Sequence, residues 1–377
     1  MSKDEIDVNI TPPIFLMYYA LQMFFNNGGG ACYIVSVGSY ITNETKVTDH
    51  FTDGLDALKK EDEPTLILLT DAVNLTSRSD YYDLCVKALV QCNTLQDRFA
   101  VFDVVQVDPK IQTKDDVDNF RNGIGQEYLN YGAAYYPYLQ TSLNYYYTDG
   151  DVIVTPVEGK TLEQIKDDQG ALYNAIKAEI SKKRIILPPS SAIAGVYARV
   201  DRDRGVWKAP ANVSLASVTA PTVKITNKEQ EDLNVDATAG KSINAIRYFT
   251  GKGVLVWGSR TLAGNDNEWR YVPVRRLFIY VEESVKKATE FAVFEPNVST
   301  TWLKVKSMIE SFLEGLWRQG ALAGSTAEQA FFVNVGLGVT MTSQDILEGR
   351  MNVEIGLAAV RPAEFIILKF SHKLQEA

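Results

Sequence analysis

"TLILLTDAVNLTSRSDYYDLCVKALVQCNTLQDRFAVFDVV", residues 65–105, decides the fold class. An apolar run at 65–70 ends on Asp71, and a second at 98–105 ends near Asp103. Between them, residues 80–94 carry apolar side chains at helical spacing. Short apolar runs joined by a helix of this length predict a βαβ unit, and hence a mostly parallel sheet in an α/β fold.

Toward the N-terminus, "ALQMFFNNGGGACYIVSVG" (20–38) places a helix-like stretch with Phe15, Tyr18, Tyr19, Met23 and Phe24 ahead of Gly28, Gly29 and Gly30. A nucleotide loop needs the reverse order, strand first and glycines leading into a helix. The stretch therefore predicts a helix C-cap, a tight turn and a strand over 32–37. A helix near 52–60 follows. Beyond the opening unit, residues 106–130 read as a polar excursion with a helix and 132–147 as strand. Residues 161–183 read as an amphipathic helix, and 222–241 as loop or linker.

A second region begins near Ile243, with a strand and turn at 254–264 and a helix starting within 271–294. The clearest helix lies in 300–322, where Trp302, Val305, Met308, Ile309, Phe312, Leu313, Leu316 and Trp317 form one apolar stripe before Gly320. Trp302, Phe312 and Trp317 are expected to be buried along it. Two strands, 352–358 and 364–370, close the sequence.

The 377 residues, 46% apolar and 23% charged, suit two or three domains with a large core. A net charge of -9 argues against nucleic acid as the main partner. No apolar run approaches the ~20 residues of a bilayer span, and no signal peptide is expected. The three cysteines, Cys32, Cys85 and Cys92, lie in apolar runs and read as buried thiols of a reducing compartment.

Reactive groups are sparse. The two histidines, His50 and His372, are far apart and no zinc spacing occurs. "DATAGKS" (236–242) ends like a phosphate loop, but Val235 stands where the leading glycine belongs, so Lys241 reads as a loop lysine. "DRDRG" (201–205) lacks the later ligands of a calcium loop.

Several stretches together resemble the sheath proteins of contractile phage tails and injection systems. They are "FFNNGGGACYIVSVG" (24–38), "AAYYPYL" (133–139) and "PPSSAIAGVYARVDRDRGVWKAPAN" (188–212), then four in the last third. Those four are "INAIRYFTGKGVLVWGSRTL" (243–262), "NEWRYVPVRRLFIYVEESVKKATEFAVFEPN" (267–297), "FLEGLWRQGAL" (312–322) and "VEIGLAAVRPAEFIILKF" (353–370). The resemblance implies a subtilisin-like α/β large domain over 1–242 and a C-terminal α+β sheath domain over 243–377. The family's extended N-terminal arm is expected to be absent or shortened. A subtilisin-type triad runs Asp, His, Ser along the chain. His372 has no serine after it, and no aspartate ending a core strand precedes His50, so no enzyme is expected.

What the resemblance implies for function is a structural subunit, without cofactor or metal. Rings of six would stack around an inner tube in a metastable extended state and contract to drive the tube through a target envelope. Partners would be other copies, the tube, and baseplate and cap proteins, with assembly in the bacterial cytoplasm and no membrane insertion. Alternatives are a sheath-like baseplate or cap protein and, further off, a hydrolase. The strand shared between subunits would be Glu364, Phe365, Ile366, Ile367, Leu368, Lys369 and Phe370, though an internal hairpin also fits. Lys286, Lys287, Lys304, Lys306 and Arg318 are candidate tube-facing residues, or a solvated helix face.

Overall fold

The computed structural model describes residues 6–39, 48–108, 114–155, 157 and 159–364. Two compact units emerge. The first comprises Met1–Asp203 and Pro210–Arg270, the second Arg204–Ala209 and Tyr271–Ala377. The second thus borrows six residues from the middle of the first, and the chain passes between units at 203/204, 209/210 and 270/271.

In the first unit, α1 (Met17–Asn26) and α2 (Thr48–Leu58) precede β1 (Leu66–Leu68), α3 (Arg78–Leu95) and β2 (Phe99–Asp103). Next come α4 (Lys114–Gly123), β3 (Gly132–Tyr136) and β4 (Leu139–Asn144). The short strands β5 (Ile153–Val154) and β6 (Lys160–Thr161) pair with each other. Beyond them lie α5 (Gly170–Ile180), β7 (Arg184–Leu187), α6 (Ser190–Arg204), β8 (Val213–Ser214) and β9 (Val218–Pro221). The unit closes with α7 (Asn227–Asn234), β10 (Ile243–Phe249) and β11 (Gly253–Val256).

The main sheet has the order β1-β2-β3-β10-β11-β8. Its first four strands run parallel, with Leu66 opposite Phe99, Ala100 opposite Gly132, and Ile243 opposite Ala134. β11 and β8 add antiparallel. All five residues of β2 and all five of β3 are buried. That accounts for their unbroken apolar runs, because a parallel sheet covered on both faces leaves no polar side. β4 lies between β7 and β9 in a separate antiparallel sheet. The expected βαβ unit is therefore present as β1-α3-β2, in a mixed α/β fold.

Several expectations need correction. Among the described residues, residues 32–37 form no strand and make no backbone hydrogen bond, and Cys32 is exposed rather than buried. The helix expected over 161–183 is only α5, because its first residues pair in β6. The loop at 222–241 contains α7, started by a capping box between Thr226 and Glu229. The boundary expected between Ser242 and Ile243 falls between Arg270 and Tyr271, since β10 is an interior strand paired with β3. The helix cap before the glycines is as expected: Gly28 has φ +106, which a side chain at that position resists.

The second unit contains α8 (Val272–Thr289), α9 (Ser299–Arg318), α10 (Ala327–Ala330), β12 (Phe331–Val335), α11 (Ser343–Leu347) and β13 (Val353–Leu357). Its core joins Leu277 and Val281 of α8 to Val305, Ile309, Leu313 and Leu316 of α9. Phe312 and Trp317 pack against this core half-buried, as do Val206 and Trp207 from the borrowed segment. Trp302 is also half-buried, its indole N–H donating to Asn297 Oδ1 at 2.6 Å. The stripe is thus real, but its centre is aliphatic and the three aromatics flank it. Gly320, at φ +84, ends α9 as the sequence predicts.

Candidate interaction surfaces

The second unit carries both surfaces that the sequence singles out. α8 and α9 bury one face and leave the other polar, and the five cations stand on that polar side. Lys286 and Lys287 each lie within ion-pair distance of Glu283, at 3.9 and 3.0 Å. Lys306 lies 3.7 Å from Glu310 one turn along α9, and Arg318 pairs with Glu314. Lys304 sits over the Phe291 ring, 4.4 Å from its centroid. All five retain exposed side chains or a ring contact rather than a buried partner. Exposed pairs of this kind contribute little to stability, so the face can give them up to another surface at small cost.

β12 and β13 form a two-stranded antiparallel sheet, with Phe331 opposite Leu357 and Val335 opposite Val353. Two strands alone are marginal in water; here α9 covers one side, where Val333 is buried, while Phe332 on the alternate side is 49% exposed. Past β13 the chain remains tied down. Ala358 donates to Ala330, Val360 donates to Ala321, and Tyr271 donates its hydroxyl to Glu364 at 3.1 Å. Of the candidate shared strand only Glu364 is described; Phe365, Ile366, Ile367, Leu368, Lys369 and Phe370 lie outside the described residues, as does His372.

The first unit holds the groups that could suggest chemistry. His50 is exposed on α2. Cys85 and Cys92 are buried, and burial pushes both thiols well above their ordinary range. Among the described residues no group of three or more His, Cys, Asp or Glu is placed to hold a metal ion. No described helix is long and apolar enough to cross a membrane.

Lys241 is buried, not a surface loop lysine, and its ammonium donates to the Arg121 carbonyl. The Asp236 carboxylate accepts from the amides of Thr238, Ala239 and Lys241 at 3.1–3.3 Å. A phosphate would need those same N–H groups. The loop is thus filled by its own carboxylate. Arg121 fastens it to α7 through the carbonyls of Asp232 and Leu233.

Among the buried charges that the sequence pattern does not reveal, two tie elements of the first unit together. Arg98 is fully buried, donating to the carbonyls of Leu58 and Glu61 and to Asp97, which ties the end of α2 to the start of β2. The only trace in the sequence is a charged pair opening an apolar run. Asp103, at the end of β2, accepts from the Ser190 amide at the start of α6 at 2.7 Å. Burial pushes its carboxyl up to about 7, against the opposing pull of the Ser190 hydrogen bonds. A perturbed acid often marks an active site, but Asp103 joins a strand end to a helix start.

Asp103 also sets an expected pH response. Its folded pKa lies above the unfolded 3.8, so between about pH 4 and 7 the folded state holds a proton that the unfolded state has released. Stability from this group is full below pH 4 and is lost as pH rises through 7. Asp103→Asn is expected to remove on the order of 2–4 kcal/mol of that pH dependence, read as a flatter melting-temperature profile between pH 5 and 8. An unchanged profile would show that the carboxyl titrates normally.

Comparison with known proteins shows what the chain as a whole is similar to. The model of the phage tail sheath C-terminal domain matches residues 264–373. A protein named as a prophage major tail sheath protein of Pseudomonas aeruginosa is 26% identical over 182 residues, 47% of this chain and 44% of that protein. The chain therefore spans less than half the length of this curated relative. The sheath complex of the PVC extracellular contractile injection system, solved in its contracted state, is 35% identical with a TM-score of 0.70, covering 97% of this chain and 82% of that one. A chain of the anti-feeding prophage baseplate is 34% identical with a TM-score of 0.71, covering 99% and 84%.

Proposed function

The chain belongs to the contractile sheath protein family of phage tails and injection systems, and we propose that it is the structural subunit of such a sheath. The observation that carries this is the 35% identity running through 82% of a chain from a contracted sheath. Subunits assemble as stacked rings of six around an inner tube, in an extended state held away from its minimum, and contraction drives the tube through a target envelope. Energy is stored at assembly and released as neighbours bury more complementary surface, at roughly 25 cal/mol per Å² of apolar contact. Subunits already tethered lose little further association entropy. The subtilisin likeness of the first unit belongs to this reading too, supported by its parallel strands alternating with helices. Assembly takes place in the bacterial cytoplasm.

Two surfaces serve the mechanism. Residues 364–370 complete the sheet of a neighbouring subunit by backbone pairing, and among the described residues the second unit's own sheet has only two strands. Lys286, Lys287, Lys304, Lys306 and Arg318 meet the tube through pairs weak enough to break on contraction. Reversing the four lysines to glutamate is expected to leave the subunit folded, since like charges one turn apart cost only about 0.2–0.5 kcal/mol each. The reversed sheath should no longer pellet with tube, and raised salt should weaken the native contact. Normal co-sedimentation of the reversed protein moves the tube contact elsewhere.

The likeness to a baseplate chain supports a second reading, a sheath-like protein at the baseplate. Electron microscopy after co-expression with the tube protein separates the two: long striated cylinders support the sheath, and single rings at a tube end support the baseplate.

A further inference from the structure

Residues 290–298 join α8 to α9, and Phe294 among them is both strained and bare. Its φ is +68, in the left-handed region, and its side chain is fully exposed. The Glu295 amide donates to the Ala292 carbonyl at 3.2 Å, and Val293 has φ -66 and ψ 127. These are the marks of a type II turn, whose third position calls for glycine because a side chain there is strained. Strain of this kind persists where the surrounding structure imposes it, and it concentrates at functional contacts.

The turn is braced on both flanks. Ahead of it, the Val293 amide donates to the Glu290 carbonyl at 3.1 Å. Behind it, the Pro296 carbonyl accepts from the Val298 amide and the Thr301 hydroxyl, at 2.9 and 2.7 Å. Asn297 accepts from the Trp302 indole and donates to the Arg350 carbonyl at 2.9 Å. The ring is thus presented from a fixed frame, and little conformational freedom is left to lose on contact. Val293 and Leu303 nearby are 61% and 64% exposed. Cations flank this apolar stretch: Lys286 and Lys287 close α8, and Lys304 sits over the Phe291 ring. An apolar centre with a charged rim is the anatomy of a protein interface.

We propose that Phe294 is the apolar anchor of the tube contact, seated in an apolar notch of the inner tube whose rim carries carboxylates. The proposal rests on the tube-facing reading of the α8 and α9 cations. Area favours the tube over a second copy. One aromatic ring buries ~150–250 Å², far below the ~1,200–2,000 Å² of a stable pairing of two chains. So small a contact does not hold two copies together. Repeated by every subunit along a tube, it holds firmly and still lets go one subunit at a time. The cations supply the part of the contact that salt screens, and the ring supplies a part that salt leaves intact.

Co-sedimentation of the full chain with tubes assembled from the cognate inner-tube protein tests this, at ~0.15 M and ~1 M salt. Phe294→Gly should melt no lower than the wild type, because glycine suits the turn. The concentration it needs for half co-sedimentation should nevertheless rise at least tenfold. Phe294→Asn, which the turn also accepts, should behave alike, and Phe294→Tyr, which keeps the ring, should stay within twofold of the wild type. The wild type should keep part of its binding at ~1 M salt; complete loss there makes the contact purely electrostatic and overturns the anchor. Normal binding by Phe294→Gly, with poor binding by the four-lysine reversal, also overturns it and leaves the tube-facing reading standing. Normal binding by both variants removes that reading and the anchor together. Loss of self-association by Phe294→Gly without tube places the ring between copies, which overturns the proposal as well.

Discussion

A subunit ended at Glu364 is expected to fold like the full chain and to form no sheath. Every described residue is retained in it: β12 and β13, the bonds of Ala358 and Val360, and the Tyr271 hydroxyl on Glu364. What is removed begins with Phe365, Ile366, Ile367 and Leu368, an apolar run whose shared pairing is the proposed tether between copies. Circular dichroism and melting should match the full chain, sedimentation should find no long assemblies, and a peptide spanning residues 363–373 should bind the shortened subunit. Aggregation or a collapsed melting temperature would instead make the segment an internal strand of its own unit.

The second large effect is on stability. Leu313 is fully buried at the centre of the α9 stripe, among Leu277, Val305, Ile309 and Leu316. Leu313→Ala is expected to cost about 3–5 kcal/mol, the loss of transfer free energy plus the cavity left behind. Phe312→Ala should cost less, because that ring lies half-buried at the margin. Denaturant unfolding compares the two directly. A Leu313→Ala loss below 1 kcal/mol, or a larger loss for Phe312→Ala, would place the core on the wrong side of the helix.

Local pattern made β1-α3-β2 and α9 legible, since apolar spacing and a glycine stop are written within a few residues of each element. It failed where pairing decides. Residues 32–37 have every preference of a strand, yet preference names no partner, and Val35 and Val37 lie on α2 instead. The three aromatics of α9 drew attention by size, whereas burial followed position. The burial of Asp103 and Arg98 was invisible for the same reason. The partner of Asp103 is an amide 87 positions away, and the carbonyls that hold Arg98 are 37 and 40 away. The family likeness did reach the whole chain, because it rests on many short stretches in order. It placed the unit boundary wrongly, as order alone does not reveal that β10 lies inside the first sheet.

The six residues borrowed by the second unit have a mechanical meaning. A unit joined by a single linker can be pulled away like a bead on a string, its load carried by one backbone. Here three covalent crossings, at 203/204, 209/210 and 270/271, act in parallel. Separating the second unit from the first by cutting the backbone therefore takes three breaks rather than one. A fragment begun at Tyr271 would also lack Val206 and Trp207, which pack against its core. The second unit is thus stitched into the first by the order of the sequence alone, without any added interaction: the chain is its own rivet.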